Sequence, residues 1–132
     1  MNSEANFWDK ASKKYALSPI SDMDAYTYTL ERTRSYLCAE DTVLEIGCGT
    51  GSTALLLAEN VQSYHGTDLS SGMIAIARRK VAESSVPNLS FEAHPALEGI
   101  RAHEGLDAVM AFNLLHLVKD IPATLNAAHQ AL

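Results

Sequence analysis

Only two cysteines occur in the 132 residues, Cys38 and Cys48, and neither stands at a metal-ligand spacing. A thiolate metal site is therefore not expected; the pair reads as free thiols, with Cys48 a small space-filling residue. The five histidines are scattered and give no zinc pattern either. Positive charge is also short, since ten Lys and Arg against sixteen Asp and Glu leave a net charge of −6. That balance speaks against a surface that follows nucleic-acid phosphates, which requires clustered basic residues. The one basic cluster, Arg78-Arg79-Lys80, is expected late in a helix, where cations complement the dipole. No long uncharged apolar run is present, and Met1 to Tyr15 intersperses Glu4, Asp9, Lys10, Lys13 and Lys14, unlike a signal sequence. No membrane partner is expected, and the compartment that follows is the cytoplasm. What is plentiful is apolar content, 47 %, enough for one core.

One abrupt change of pattern organises the chain. Thr42-Val43-Leu44-Glu45-Ile46 is a short apolar run suited to a strand buried on both faces of a parallel sheet. Gly47-Cys48-Gly49-Thr50-Gly51 follows as a tight turn, and Ser52 to Glu59 is a good helix former. The first N–H groups of that helix point back over the loop, so the corner suits the polar end of a small ligand. The spacing departs from the G-x-G-x-x-G dinucleotide fingerprint: the third glycine arrives one residue early, and Ser52 stands where the fingerprint needs glycine. Glu45, two residues before the first glycine, opposes a pyrophosphate and favours a cationic group. A nicotinamide-dependent oxidoreductase is disfavoured on both counts.

The run from Val43 to Gly51 resembles motif I of the class I S-adenosylmethionine-dependent methyltransferases. The resemblance implies S-adenosyl-L-methionine as cofactor, with its methionine portion on Gly47, Cys48, Gly49, Thr50 and Gly51 and its ammonium near Glu45. It also implies an α/β, Rossmann-like sheet with parallel strands in the order 3-2-1-4, and methyl transfer to an acceptor. Acidic charge and an aromatic N-terminus favour a small-molecule acceptor. A module that binds the cofactor or its product without catalysis is the alternative.

Ahead of the sheet, Phe7, Trp8, Ala11 and Tyr15 share one helical face; Asp22 is a candidate cap for a second helix with Tyr26, Leu30, Thr33 and Leu37 in register. Relatives place such helices over the cofactor cleft, so residues 1–38 are expected to be a helical cover and 39–132 the cofactor-binding domain. By the same resemblance Phe7, Trp8, Tyr15 and Tyr26 then either line a lid or acceptor wall, with Tyr15 against the cofactor, or pack on the sheet.

Ser63 to Thr67 reads as the second strand, ending at Asp68, whose carboxylate suits the two hydroxyls of a ribose. Leu69 and Met73 follow; in relatives a Met here packs near the adenine, and a core role is the other reading. Ser70 or Ser71 is a plausible N-cap for the next helix. Leu89 to Ala93 is the third strand. The aspartate that many relatives carry after it is replaced by His94-Pro95-Ala96, so His94 or a backbone carbonyl, beside Pro95 and Ala96, is left to meet the adenine.

Gly105 to Phe112 is the fourth strand, and its carboxyl end puts Asn113 and His116 near the transferring methyl. His116 is either a general base or a loop-capping histidine. Asp120 and Pro122 open a last helix with Leu125, Ala128 and Leu132 as its apolar face. Strands five to seven of the family are absent from the sequence, leaving the fourth strand at an open edge. A fragment of a longer chain, or self-association through that edge, is therefore expected.

Overall fold

Four short strands, Thr42–Ile46 (β1), Ser63–Asp68 (β2), Leu89–Ala93 (β3) and Ala108–Ala111 (β4), form one parallel sheet in the order β3-β2-β1-β4. The computed structural model describes residues 5–7, 9, 10, 12, 23–112, 114 and 117–132. Its helices are α1 (Met23–Arg34), α2 (Ser52–Leu57), α3 (Ser71–Ser84), α4 (Ala96–Arg101) and α5 (Ile121–Ala131), and residues 5–7, 9, 10 and 12 are also helical. Parallel strands cannot be joined by hairpins, so each connection crosses a face of the sheet and covers it. Sheet order and parallel sense agree with the sequence reading, although β4 is shorter than Gly105 to Phe112. The helix after the glycine loop closes with a 3₁₀ turn at Ala58–Asn60.

Alternation along β1 divides the core in two. Val43 faces one side with Tyr64 of β2 and Leu89 and Phe91 of β3, and Leu30 of α1, Leu57 of α2 and Ile74 of α3 pack there. Leu44 and Ile46 face the other side, where Ile100 of α4 and Ala127 and Ala131 of α5 cover them. Val43, Leu44 and Ile46 are all buried, as a central strand covered on both faces requires. Glu45 shares the first face with Val43 and is paired in register with Gly66 of β2.

Two expectations are corrected. The buried face of α5 is Thr124, Ala127 and Ala131; of the expected stripe only Ala128 packs on the core, partly buried, while Leu125 and Leu132 are 53 % and 58 % exposed. Small residues let α5 close on α4 and on Leu106, whose N–H donates to the Ala131 carbonyl; the bulkier stripe then turns outward. The N-terminal boundary of α5 is as expected, with the Asp120 carboxylate accepting from the Ala123 N–H at 3.0 Å. Arg78-Arg79-Lys80 lies within α3, not in its last turn. Arg78 donates to the Phe91 carbonyl on edge strand β3 from Nε at 3.2 Å and Nη2 at 2.8 Å, so its charge is engaged by tertiary structure instead of the helix dipole. Among the described residues no helix is long and apolar enough to cross a membrane.

A cleft of about 390 Å³ opens between the C-terminal end of α1 and β4, lined by Thr33, Tyr36, Leu37, Ala108, Met110 and Phe112. It lies along the outer side of β4, whereas the glycine loop lies at the carboxyl end of β1, where ligands settle in open α/β sheets.

Candidate functional site

The turn after β1 is held by local strain that only glycine accepts. Gly47 and Gly51 have φ of 70° and 81°, and a Cβ on either would come within 2.7 Å of a side chain, Leu114 for the first and Phe91 for the second. The turn is also fastened from below. Its Cys48 N–H donates to the Thr67 carbonyl at 2.9 Å, and its Gly49 N–H donates to Asp68 Oδ2 at 2.9 Å.

Asp68 ties the ends of β1 and β2 together. Its second oxygen accepts the Ser70 N–H at 2.9 Å, so each carboxylate oxygen carries one backbone donor and keeps lone-pair capacity for another. Burial raises its carboxyl above the usual range, and the two N–H groups work in the opposite direction. Ser70 is the N-cap of α3, its hydroxyl accepting from the Met73 N–H at 3.1 Å. Of the two serines left open by the sequence, Ser70 takes that role.

Glu45 is 2 % exposed and accepts a hydrogen bond from the Tyr64 hydroxyl at 2.6 Å. Among the described residues no lysine, arginine or histidine pairs with it. Burial pushes its carboxyl up to about 7; the Tyr64 hydroxyl lowers it and the Asp68 charge raises it further. Burial likewise pushes the Cys48 thiol far up, which leaves the thiol protonated and supports its reading as filler. An acid poised near neutrality under a glycine turn is a place where a cation gains more than it would in water.

On the outer side of the loop, Lys80 donates to the hydroxyls of Thr50 and Ser52, both at 3.0 Å. This tether explains how Thr50, 5 % exposed, has its polar atom satisfied.

The structure thus brings Glu45, Gly47, Cys48, Gly49, Thr50, Gly51 and Asp68 to one corner, at the carboxyl ends of β1 and β2. Leu69 is half-buried beside Asp68, and Met73 is buried on α3. The loop after β3 reaches the same corner, because the His94 N–H donates to the Asp68 carbonyl at 2.9 Å. The ring of His94 is turned onto the Glu92 carboxylate, so the loop offers backbone beside Asp68 while the imidazole is engaged elsewhere. Pro95 is exposed at the N-cap of α4, and Ala96 packs against the second core cluster. Trp8, Tyr15, Asn113 and His116 lie outside the described residues.

Sequence reasoning missed Tyr64, Lys80 and Asp9, the last of which meets Ser70 and Gly72. For Tyr64 a signal existed: a carboxylate inside a buried strand demands a donor on the same face of the next strand, and Tyr64 lies across from Val43, two residues along from Glu45.

The sequence model of a family described as a methyltransferase domain matches residues 43–132. The highly reducing polyketide synthase valA of Aspergillus terreus is 35 % identical over 99 residues, 62 % of this chain and 4 % of that protein. Polyketide synthase PksR of Bacillus subtilis is 33 % identical over 116 residues, 80 % of this chain and 4 % of that protein. The chain therefore spans about one twenty-fifth of the length of these curated relatives. Among solved structures, the DhpI-SAM-HEP complex superimposes with a TM-score of 0.79 at 25 % identity, covering 98 % of this chain and 59 % of that one. The YcgJ protein of Bacillus subtilis gives 0.74 at 25 % identity, covering 80 % and 46 %. The match extends over well over half of the sequence and includes the glycine turn, Glu45 and Asp68, and by it this chain belongs to the methyltransferase-domain family.

Proposed function

We propose that the chain is the cofactor-binding part of an S-adenosyl-L-methionine-dependent methyltransferase acting on a small-molecule acceptor. The observation that carries this reading is the pairing of a buried acid without a cationic partner among the described residues, Glu45, with a second carboxylate that keeps lone-pair capacity, Asp68, at a glycine-rich turn. The donor set fits the cofactor: Glu45 favours its ammonium, the bare loop admits its methionine portion, and the remaining lone pairs of Asp68 suit the ribose hydroxyls. The backbone of residues 94–96 is left for the adenine. When bound, the cofactor supplies an electrophilic methyl on a sulfonium; the protein's share is alignment and exclusion of water.

Asn113 and His116 follow β4 and are proposed to stand near the transferring methyl, Asn113 against the cofactor and His116 taking the proton from an acceptor that must lose one. In a transfer assay His116→Asn should lower kcat while leaving cofactor affinity unchanged; unchanged kcat would return His116 to a capping role. Residues 1–38 are proposed as the cover over the cofactor corner and 39–132 as the binding domain. The names of the relatives, polyketide synthases, support a small organic acceptor and a place within a larger synthase.

Thermal shift tests the cofactor assignment. S-adenosylhomocysteine at a hundredfold its Kd should stabilise the chain by ~2.7 kcal/mol, which for this size moves the midpoint on the order of ten degrees. NADH should do nothing, because Glu45 and Ser52 oppose its pyrophosphate. The reverse outcome would replace this reading with a dinucleotide-binding one.

A further inference from the structure

We propose that Asp9 is a positioning residue for the cofactor site, fastening the N-terminal helical segment to the turn that carries Asp68. This fastening rests on the methyl-transfer reading, since it concerns the same site. Three donors converge on Asp9 Oδ1: the Ser70 hydroxyl at 2.5 Å, the Gly72 N–H at 2.8 Å and the Ser71 hydroxyl at 3.4 Å. Asp9 therefore supplies, from outside, the negative charge that the first turn of α3 lacks in its own sequence. Ser70 is the shared knot. Its hydroxyl meets Asp9, its N–H donates to Asp68 Oδ1, and the other oxygen of Asp68 holds the Gly49 N–H. A continuous chain of hydrogen bonds thus runs from the N-terminal segment to the glycine turn.

Gly72 gives a second, independent observation. Its backbone is helical, so the missing side chain is not needed for conformation. A Cβ there would lie 2.9 Å from Ser12 Oγ and 3.3 Å from the Cα of Asp9. Ser12 is itself 4 % exposed and donates to the Asp9 carbonyl at 2.9 Å. Glycine at this position serves the close approach of the N-terminal segment. The Ser70 hydroxyl, followed by the Gly72 N–H, holds the Asp9 carboxyl below the ordinary carboxylate range, so the contact is charged at neutral pH. With the segment docked, Ser70 and hence Asp68 are held on both sides; undocked, the Asp68 turn keeps only its own ties. The effect falls mainly on ligand release, the rate through which contacts of this type act.

The test uses the 132-residue chain and S-adenosylhomocysteine, with Kd by calorimetry and release by stopped flow. Asp9→Ala and Gly72→Ala should each raise Kd by about tenfold, the worth of a charge-assisted hydrogen bond, chiefly through faster release. Asp9→Asn keeps an acceptor oxygen and should fall between them and the wild type. Lys10→Ala, an exposed neighbour, should bind as the wild type does. Alanine favours a helix over glycine, so Gly72→Ala should lose affinity without losing unliganded stability, a split that simple structural damage does not produce. Wild-type Kd and release in both Asp9→Ala and Gly72→Ala would overturn the fastening. If the wild type itself binds no S-adenosylhomocysteine, the methyl-transfer reading fails instead. Tryptic cleavage after Lys10 then decides the fastening alone: faster cleavage in both variants supports it, and an unchanged rate overturns it.

Discussion

Glutamine in place of Glu45 is expected to weaken S-adenosylhomocysteine binding at pH 8 by about 10- to 100-fold, the loss of a charge-assisted partner. The same change should remove most of the fall in unliganded stability between pH 5 and pH 8. Glu45 is buried, meets a neutral hydroxyl and has its carboxyl pushed up from 4.5 to about 7. A group whose folded value is raised holds its proton in the native state after the unfolded chain has lost it. Stability from this group is complete below 4.5, declines as pH rises and is gone above about 7. At 1.36 kcal/mol per unit this interval corresponds to ~3 kcal/mol. Glutamine keeps the volume and an acceptor for Tyr64 but does not titrate; its unpaired amide hydrogens offset part of the gain. A net advantage of about 2 kcal/mol over the wild type at pH 8 is expected in urea melts, shrinking to nothing near pH 5.

The cofactor side of this linkage has the opposite sense. A cation beside Glu45 favours its ionised form, so wild-type affinity should rise from pH 5 to pH 8 and binding near pH 6.5 should release a proton. Calorimetry in buffers of different ionisation enthalpy reads that proton directly. The groups around Glu45 are Tyr64, Cys48 and Asp68; burial keeps the first two protonated across this range. Proton release that persists in Glu45→Gln would move the titration to Asp68 and remove Glu45 from the argument.

Asp68→Ala should cost affinity and stability together, about 100-fold in S-adenosylhomocysteine Kd and ~2 kcal/mol in unfolding free energy. The carboxylate divides its oxygens between the Gly49 and Ser70 N–H groups, so truncation leaves two backbone donors without their partner. Loss of the buried charge returns some desolvation energy, which is why the expected stability loss is smaller than two orphaned donors suggest. Asparagine is not expected to rescue the site. It has one carbonyl oxygen for two N–H groups, and its NH₂ would face a donor. Asparagine at wild-type affinity would show that Asp68 serves as a turn residue and that the ribose is held elsewhere.

Part of this site was legible in one dimension because its causes are local. A buried strand, a turn that only glycine can make and a helix start lie within Thr42 to Leu57, and each follows from residues adjacent in sequence. Asp68 and the Asp120 cap were legible for the same reason. The face of α5 was not, because which stripe is buried depends on how closely α4 approaches, and small residues at Thr124, Ala127 and Ala131 set that distance. Nor was the use of Lys80 and Arg78, whose partners stand 30 and 13 residues away on the glycine loop and on β3. Helix-dipole reasoning sees only the element a charge belongs to, and here tertiary hydrogen bonds prevailed.

Local sequence patterns by themselves determined the first strand, the glycine turn, the acid placed ahead of it and the second acid at the tip of β2, and the α/β sheet followed from the family resemblance those residues carry. They did so because backbone conformation and strand burial respond to neighbouring residues. The tertiary structure alone decided how those groups behave: that Glu45 lies near its midpoint at neutral pH, that Asp68 is braced by Gly49 and Ser70, and that Asp9 comes from more than sixty positions away to brace Ser70 in turn. Ionisation and hydrogen bonding depend on burial and on distances between segments remote in sequence, and those exist only after the chain has folded.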